Sequence, residues 1–275
     1  MTEALSGAWN FRDIAEGTGL RPGRFFRSSE LSGLDADGQR ALLGLGISDV
    51  ADLRSPREVE RHGPGSVPDT VTVHRLPFPD LSASPDDSGF AASSGGGQAP
   101  HDYSFTRLFR DESGDEPVDV AAARYMTEEY ERFPTLGGAK RAVAQIVSLL
   151  AAGRTVITHC FAGKDRTGFA VAVVLEALGV DRDAILADYL RSNAAVPSLR
   201  ERILATMRER GGDEMTPEAL AFAEAKLTEA VLGVREDYLA AARRGIHSHY
   251  GSLTGYLESA GVTAEQLRAL THRLR

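Results

Sequence analysis

His159-Cys160-Phe161-Ala162-Gly163-Lys164-Asp165-Arg166-Thr167-Gly168 is the stretch on which the fold of this chain turns. An apolar run, Thr155 to Thr158, leads into it, and the run Phe169 to Leu178 leads out. A short apolar run, a tight polar turn and a longer apolar run predict a buried strand, a loop and a buried helix. Such a loop turns successive backbone N–H groups into one small space at the positive end of a helix, where an oxyanion fits. A thiol in such a place loses its proton easily. Five residues after Cys160 comes Arg166, whose planar guanidinium returns to the same space with a fork suited to phosphate. The arrangement suits transfer of a phosphoryl group to sulfur.

Each position then has an expected role. Cys160 is the candidate nucleophile, and Arg166 would bind two phosphoryl oxygens and stabilise their charge in the transition state. A lone cysteine is often only a small buried hydrophobe, but that alternative leaves the spacing to Arg166 unexplained. The backbone N–H groups from Phe161 through Ala162, Gly163 and Lys164 to Arg166 form the rest of the substrate cradle. Gly163 permits a backbone angle that a side chain would forbid. Thr167 would donate its hydroxyl to the sulfur, or cap the helix. Lys164 adds a second cation, either for a substrate with more than one phosphate or as a rim lysine that steers any anion. His159 ends a strand and should hydrogen-bond the loop backbone. Nothing in the sequence calls for a cofactor or a metal. A leaving oxygen needs a proton, usually from a carboxylic acid, and Asp165 lies inside the loop.

The loop resembles the phosphate-binding loop of the cysteine-dependent phosphatases. The resemblance continues through Trp9-Asn10-Phe11-Arg12-Asp13, Arg24 to Leu31, Val50-Ala51-Asp52-Leu53-Arg54, Asp188 to Asn193, Val234 to Leu239 and Tyr250-Gly251-Ser252. All of these look like the bacterial tyrosine-phosphatase family. The resemblance implies a metal-independent phosphatase that hydrolyses phosphotyrosine, with phosphoserine, phosphothreonine and phosphoinositides as further substrates, through a phosphocysteine intermediate. Phe78-Pro79-Asp80 resembles the Trp-Pro-Asp loop of classical tyrosine phosphatases, which makes Asp80 the second candidate for the acid. Arg12 and Arg54 match family elements around the pocket, as braces or substrate groups, and Tyr125-Met126 matches residues near it. A sulfur transferase with a cysteine loop does not need the Arg-Thr pair, and a binding module without activity usually lacks the nucleophile or the arginine.

The 275 residues carry 31 Lys plus Arg against 39 Asp plus Glu, a formal charge of −8. No basic excess exists to neutralise a nucleic-acid backbone. No apolar run approaches membrane-spanning length, and the first ten residues hold no secretory signal pattern. One cysteine rules out an internal disulfide and suits a reducing cytoplasm. Family resemblance implies export without a classical signal as the alternative. Strands at Phe25-Phe26, Val50–Leu53, Val71–Val73 and Thr155–Thr158, interleaved with helices, predict an α/β fold with a central, mostly parallel sheet flanked by helices. Asp35 and Ser55 read as helix N-caps, the latter followed by Pro56 at the first helical position. The expectation is one phosphatase domain over residues 1–275. Residues 82–102, rich in Ser, Gly, Ala and Asp, read as a mobile loop, with Phe105–Phe109 as one amphipathic turn after it. Helices are expected near 118–132, 137–152, 168–178, 182–192, 197–210, 216–231, 234–244 and 246–258, with one more at the C-terminus. Within residues 197–232, Leu199, Ile203 and Met207 form one apolar stripe and Leu220, Leu227 and Val231 another, with Gly211-Gly212 between. That predicts a helical hairpin, which in a member of the family is a mobile two-helix lid.

Overall fold

The structure, a computed structural model, describes residues 5–78, 116–211 and 216–275. Among the described residues five strands form one sheet: β1 (Arg12–Asp13), β2 (Phe25–Ser28), β3 (Asp49–Asp52), β4 (Thr72–Arg75) and β5 (Val156–His159). Their order is β1-β2-β5-β3-β4. The last four are mutually parallel, and β1 pairs antiparallel with β2. Side chains alternate across a strand, so Phe25, Ala51 and Val156 enter one core while Phe26, Val50 and Ile157 enter the other. In register, Ser28, His159 and Asp52 end the three central strands side by side. The crevice beyond the carboxyl ends of parallel strands is where such sheets bind ligands.

The smaller core lies under α1 (Ala36–Gly44), which buries Leu42 and starts at Asp35, whose carboxylate accepts from the Gly38 N–H at 2.8 Å. Next comes α2 (Pro56–His62), with the full reciprocal cap between Ser55 and Glu58. The larger core gathers α3 (Val118–Arg132), α4 (Gly137–Ala151) and α5 (Asp165–Ala177). In α4, Ala139, Ala142, Val143, Ile146, Val147 and Leu150 recur at spacings of three and four and form one buried stripe. Every residue of α5 from Asp165 to Leu175 is buried, the signature of a helix enclosed on all sides. Each fully buried Val, Leu or Phe contributes about 1.5–3 kcal/mol, which fixes the helix that carries Arg166. There follow α6 (Arg182–Leu190), α7 (Val196–Gly211), α8 (Pro217–Lys226), α9 (Glu229–Leu232), α10 (Glu236–Tyr250), α11 (Leu253–Ser259) and α12 (Ala264–Leu274).

The α/β architecture matches the expectation, with four differences in detail. The two-residue β1 carries too little pattern to be read. The central helix begins at Asp165 rather than 168, which puts Arg166 and Thr167 in its first turn. The helix expected over 216–231 is broken after Lys226 into α8 and α9. The break expected at Gly245 falls instead at Gly251. A Cβ at Gly245 would meet the Glu131 carbonyl oxygen at 2.3 Å, so this glycine admits a neighbouring helix and does not end its own. Gly251, at φ 72°, does end it. The loop expected at 82–102 and the turn at Phe105–Phe109 lie outside the described residues. Among the described residues no helix is long and apolar enough to cross a membrane.

Candidate active site

Cys160 follows β5 directly, and the loop to Lys164 is held from behind by its carbonyl groups. The Cys160 carbonyl lies 3.1 Å from Nδ1 of His159, and the Phe161 carbonyl accepts from the Glu30 N–H at 2.9 Å. Nδ2 of Asn10 donates to the carbonyls of Ala162 and Gly163 at 3.1 and 3.0 Å. Nη2 of Arg27 also donates to the Gly163 carbonyl, at 2.8 Å. Lys164 gives its carbonyl to Gly168 in the helix. Because a trans peptide sets N–H opposite C=O, the N–H groups of Phe161 through Asp165 turn the other way. Gly163 sits at φ 65° with the Ser28 carbonyl oxygen 2.1 Å from where a Cβ would stand. Only glycine satisfies both conditions.

The clamp has its own support. Asp188 of α6 accepts from Nη1 of Arg27 and Nε of Arg12, each at 2.7 Å, and Arg12 also donates to Oδ1 of Asn10 at 2.6 Å. Asn10 takes φ 55°, a left-handed angle that asparagine tolerates. Two guanidiniums and one carboxylate leave one net positive charge behind the loop. Burial and the nearby Arg27 lower Arg12 to about 10, while Asp188 is held below the ordinary carboxylate range because Arg27 and Arg12 outweigh its burial.

Arg166 is buried, and both terminal nitrogens bond Glu58, Nη1 to Oε2 and Nη2 to Oε1, each at 2.6 Å. Burial opposes the charge on Arg166, but Glu58 outweighs it and raises the proton affinity of the guanidinium further. Guanidinium carries five N–H donors, and the bonds to Glu58 use its far end. Nε–H, with no acceptor among the described residues, and the second hydrogen of Nη2 remain along one edge. That edge can take two phosphoryl oxygens. The Thr167 hydroxyl is likewise buried without a partner. Beside the loop, Arg54 bonds Asp52 at 2.9 and 3.0 Å and Glu30 at 3.0 Å. Asp52 is buried, yet His159 and Arg54 hold its carboxyl at about 2. Burial lowers the proton affinity of His159.

Asp165 opens α5 and is 2 % exposed. Its Oδ1 accepts from the Tyr130 hydroxyl at 2.9 Å and lies 3.4 Å from Nζ of Lys164. Asp80, the other candidate acid, lies outside the described residues. Lys164 corrects an expectation: it is no rim lysine. Its side chain is buried and its ammonium donates to the carbonyls of Val231 and Gly233 at 2.6 and 3.0 Å. Burial makes that charge costly, lowering the proton affinity, and Asp165 partly compensates.

The described residues of the segment 197–232 lie on the loop. Leu199, Leu204, Leu227 and Leu232 pack with Phe161 and Ala162 in one apolar cluster, against which Trp9, Ile203, Met207 and Leu220 also rest. Val231 joins a different cluster, with Ala121, Ala122 and Tyr125. Nη2 of Arg202 in α7 donates to Glu30 at 2.6 Å, and the His62 ring lies against Phe161 with centroids 4.7 Å apart. A cavity of about 530 Å³ between α2 and α7 is lined by Trp9, Arg61, His62 and Arg202 among others. A larger groove, about 710 Å³, lies at the far end of α5 and contains no loop residue.

The structure thus brings Cys160, Phe161, Ala162, Gly163, Lys164, Asp165, Arg166 and Thr167 together. Arg12 and Arg54 are buried and paired, with Asp188 and with Asp52 and Glu30, and Tyr125 and Met126 are core residues. Glu58, Arg27, Asp188 and Tyr130 belong to the site without having been singled out. Glu58 carried only the signal of a helix cap, and Asp188 and Arg27 only that of lying in family-like stretches.

A cysteine and an arginine six residues apart on an oxyanion loop, at the carboxyl edge of a parallel sheet, define a phosphatase-class site. The chain belongs to the tyrosine phosphatase family, whose model matches residues 3–275. It is 55% identical over 279 residues to the triple specificity protein phosphatase PtpB of Mycobacterium tuberculosis, covering 98% of this chain and 96% of that one. It is 33% identical over 265 residues to a putative tyrosine-protein phosphatase of Cupriavidus necator, covering 94% and 84%. A tyrosine-protein phosphatase of Nostoc commune is 28% identical over half of this chain. The protein is an enzyme of that family, a protein-tyrosine phosphatase.

Proposed function

We propose that the enzyme hydrolyses phosphotyrosine without a metal, through a phosphocysteine at Cys160. The observation that carries this is the division of Arg166: one end held by Glu58, one edge left beside a loop whose carbonyls are all drawn back. Sγ of Cys160 forms a bond to phosphorus as the ester P–O bond breaks, and the departing oxygen takes a proton from Asp165 or Asp80. Arg166 and the N–H groups of Phe161 to Arg166 carry the charge that builds on the phosphoryl oxygens. Water then bonds phosphorus, the S–P bond breaks, and Thr167 donates to the leaving thiolate.

The substrate range extends to phosphoserine, phosphothreonine and phosphoinositides, supported by the name of the relative, a triple specificity phosphatase. The whole chain acts as one domain, and α7 to α9 are a lid that opens for substrate. Support for the lid is its packing on Phe161 and Ala162 and the burial of Cys160, at 2 % exposed.

The test is phosphate release from a phosphotyrosine peptide and from phosphatidylinositol 3-phosphate, side by side with EDTA, for wild type and Cys160→Ser. We expect release that persists in EDTA and vanishes in Cys160→Ser. The ratio of the two wild-type rates assigns the preferred substrate. Release that survives the substitution, or that EDTA abolishes, overturns the mechanism.

A further inference from the structure

Two tyrosines from separate helices form a chain of hydroxyls that ends on one oxygen at the loop. The Tyr189 hydroxyl of α6 donates to the Tyr130 hydroxyl of α3 at 2.7 Å, and Tyr130 donates to Oδ1 of Asp165 at 2.9 Å. Tyr130 is 0% exposed and Tyr189 1%. Packing alone does not call for these hydroxyls, since phenylalanine would fill the same space and avoid burying a polar group. Buried hydroxyls persist where they are bonded, and here the bonds end on a carboxylate. The Lys164 ammonium approaches the same Oδ1 at 3.4 Å. Among the described residues, the polar contacts to this carboxyl group fall on Oδ1, and Oδ2 is the oxygen left over.

We propose that Tyr130, backed by Tyr189, is a positioning residue that pins Oδ1 of Asp165 and presents Oδ2 for proton exchange with the reacting oxygens. The proposal rests on the phosphocysteine mechanism above and takes Asp165, not Asp80, as the acid. In the first step the proton leaves Oδ2 for the ester oxygen as the P–O bond breaks and the S–P bond forms. In the second, water returns a proton to Oδ2 as its oxygen bonds phosphorus and the S–P bond breaks. Burial, and then the charge of Asp165, raise both phenols well above their usual range, so both stay donors throughout the working range. The other ionisable groups facing this chain are Lys164, Cys160 and Arg166 of the loop, Tyr238 of α10 and Arg27 of β2. None of them changes when a phenol becomes a phenyl ring.

The experiment is kcat and KM on a phosphotyrosine peptide for wild type, Tyr130→Phe, Tyr189→Phe, Asp165→Asn and the Tyr130→Phe/Asp165→Asn double variant. A donor that fixes the carboxyl group acts on the reacting state and not on substrate binding, so Tyr130→Phe should lower kcat about tenfold at unchanged KM, and Tyr189→Phe should lower it less. Asp165→Asn should lower kcat further, and the double variant should be no slower than Asp165→Asn alone. A kcat that is unchanged in both tyrosine variants overturns the proposal. So does a rise in KM with kcat unchanged, a kcat that is unchanged in Asp165→Asn, or losses that multiply in the double variant. Tyr130→Phe keeps the ring against Phe133 and Tyr238, and if it does not fold, Tyr189→Phe carries the test. Failure of the underlying mechanism is seen separately, as phosphate release that survives Cys160→Ser.

Discussion

Arg166 divides its donors between a carboxylate that holds it and an edge that faces the loop. Replacing Glu58 with Gln removes the charge and one of the two acceptors, so the guanidinium keeps its place less well. We expect Glu58→Gln to lower kcat about 10–100-fold, below the ~10²–10³ of losing a charge-stabilising donor outright, with little change in KM; steady-state kinetics decide it. Gly163→Ala forces a side chain into a left-handed angle, at about 1–2 kcal/mol, and sets a methyl group against the Ser28 carbonyl. Denaturant titration should show a less stable fold, and activity should fall more than tenfold. Cys160 and Arg166 were legible in the sequence because their spacing is local. The partners that make them work were not. Glu58 lies 108 positions from Arg166, Arg27 lies 136 from Gly163 and Asp188 lies 161 from Arg27, and nothing in any of those neighbourhoods names the other.

At the scale of elements, the sheet was readable from its apolar runs and the start of α2 from Ser55-Pro56. The ends of several helices were not, because one residue type serves two purposes. Gly245 lies inside α10 where Glu131 of α3 comes close, whereas Gly251 terminates it. The apolar stripes of α7 and α8 announced a buried face but not what covers it, which is Phe161 and Ala162. The link between Arg202 and Glu30 ties α7 to the strand side of the cleft. Arg202 is 41% exposed in its side chain, so solvent screening limits the pair to about 1 kcal/mol. Arg202→Ala should therefore raise the open population about fivefold. The measurement is the rate at which peroxide inactivates the enzyme, which should rise by a similar factor as Cys160 is uncovered. An unchanged rate means that α7 does not guard the thiol.

Across the whole molecule, carboxylates carry the dependence on acid. Asp52 sits at about 2 against an ordinary 3.8, held there by His159 and Arg54, and Glu58 and Asp188 are also lowered, by arginines that outweigh their burial. A carboxyl group depressed in the fold adds stability above its unfolded pKa and loses it as pH falls toward the folded value. His159, buried with its proton affinity lowered, adds to this, because the unfolded chain takes up that proton first. Thermal unfolding should thus begin to fall below about pH 6.5 and fall most steeply between about pH 4 and about pH 2. The chain has one tryptophan, Trp9, whose carbonyl is fixed by the Ser29 N–H at 2.8 Å while its side chain rests against the cluster joining α7 to the loop. The sole indole is therefore a built-in fluorophore at the seam between the proposed lid and the loop. Its emission should shift to the red each time water reaches it, so stopped-flow fluorescence can time the opening of the unlabelled enzyme during turnover.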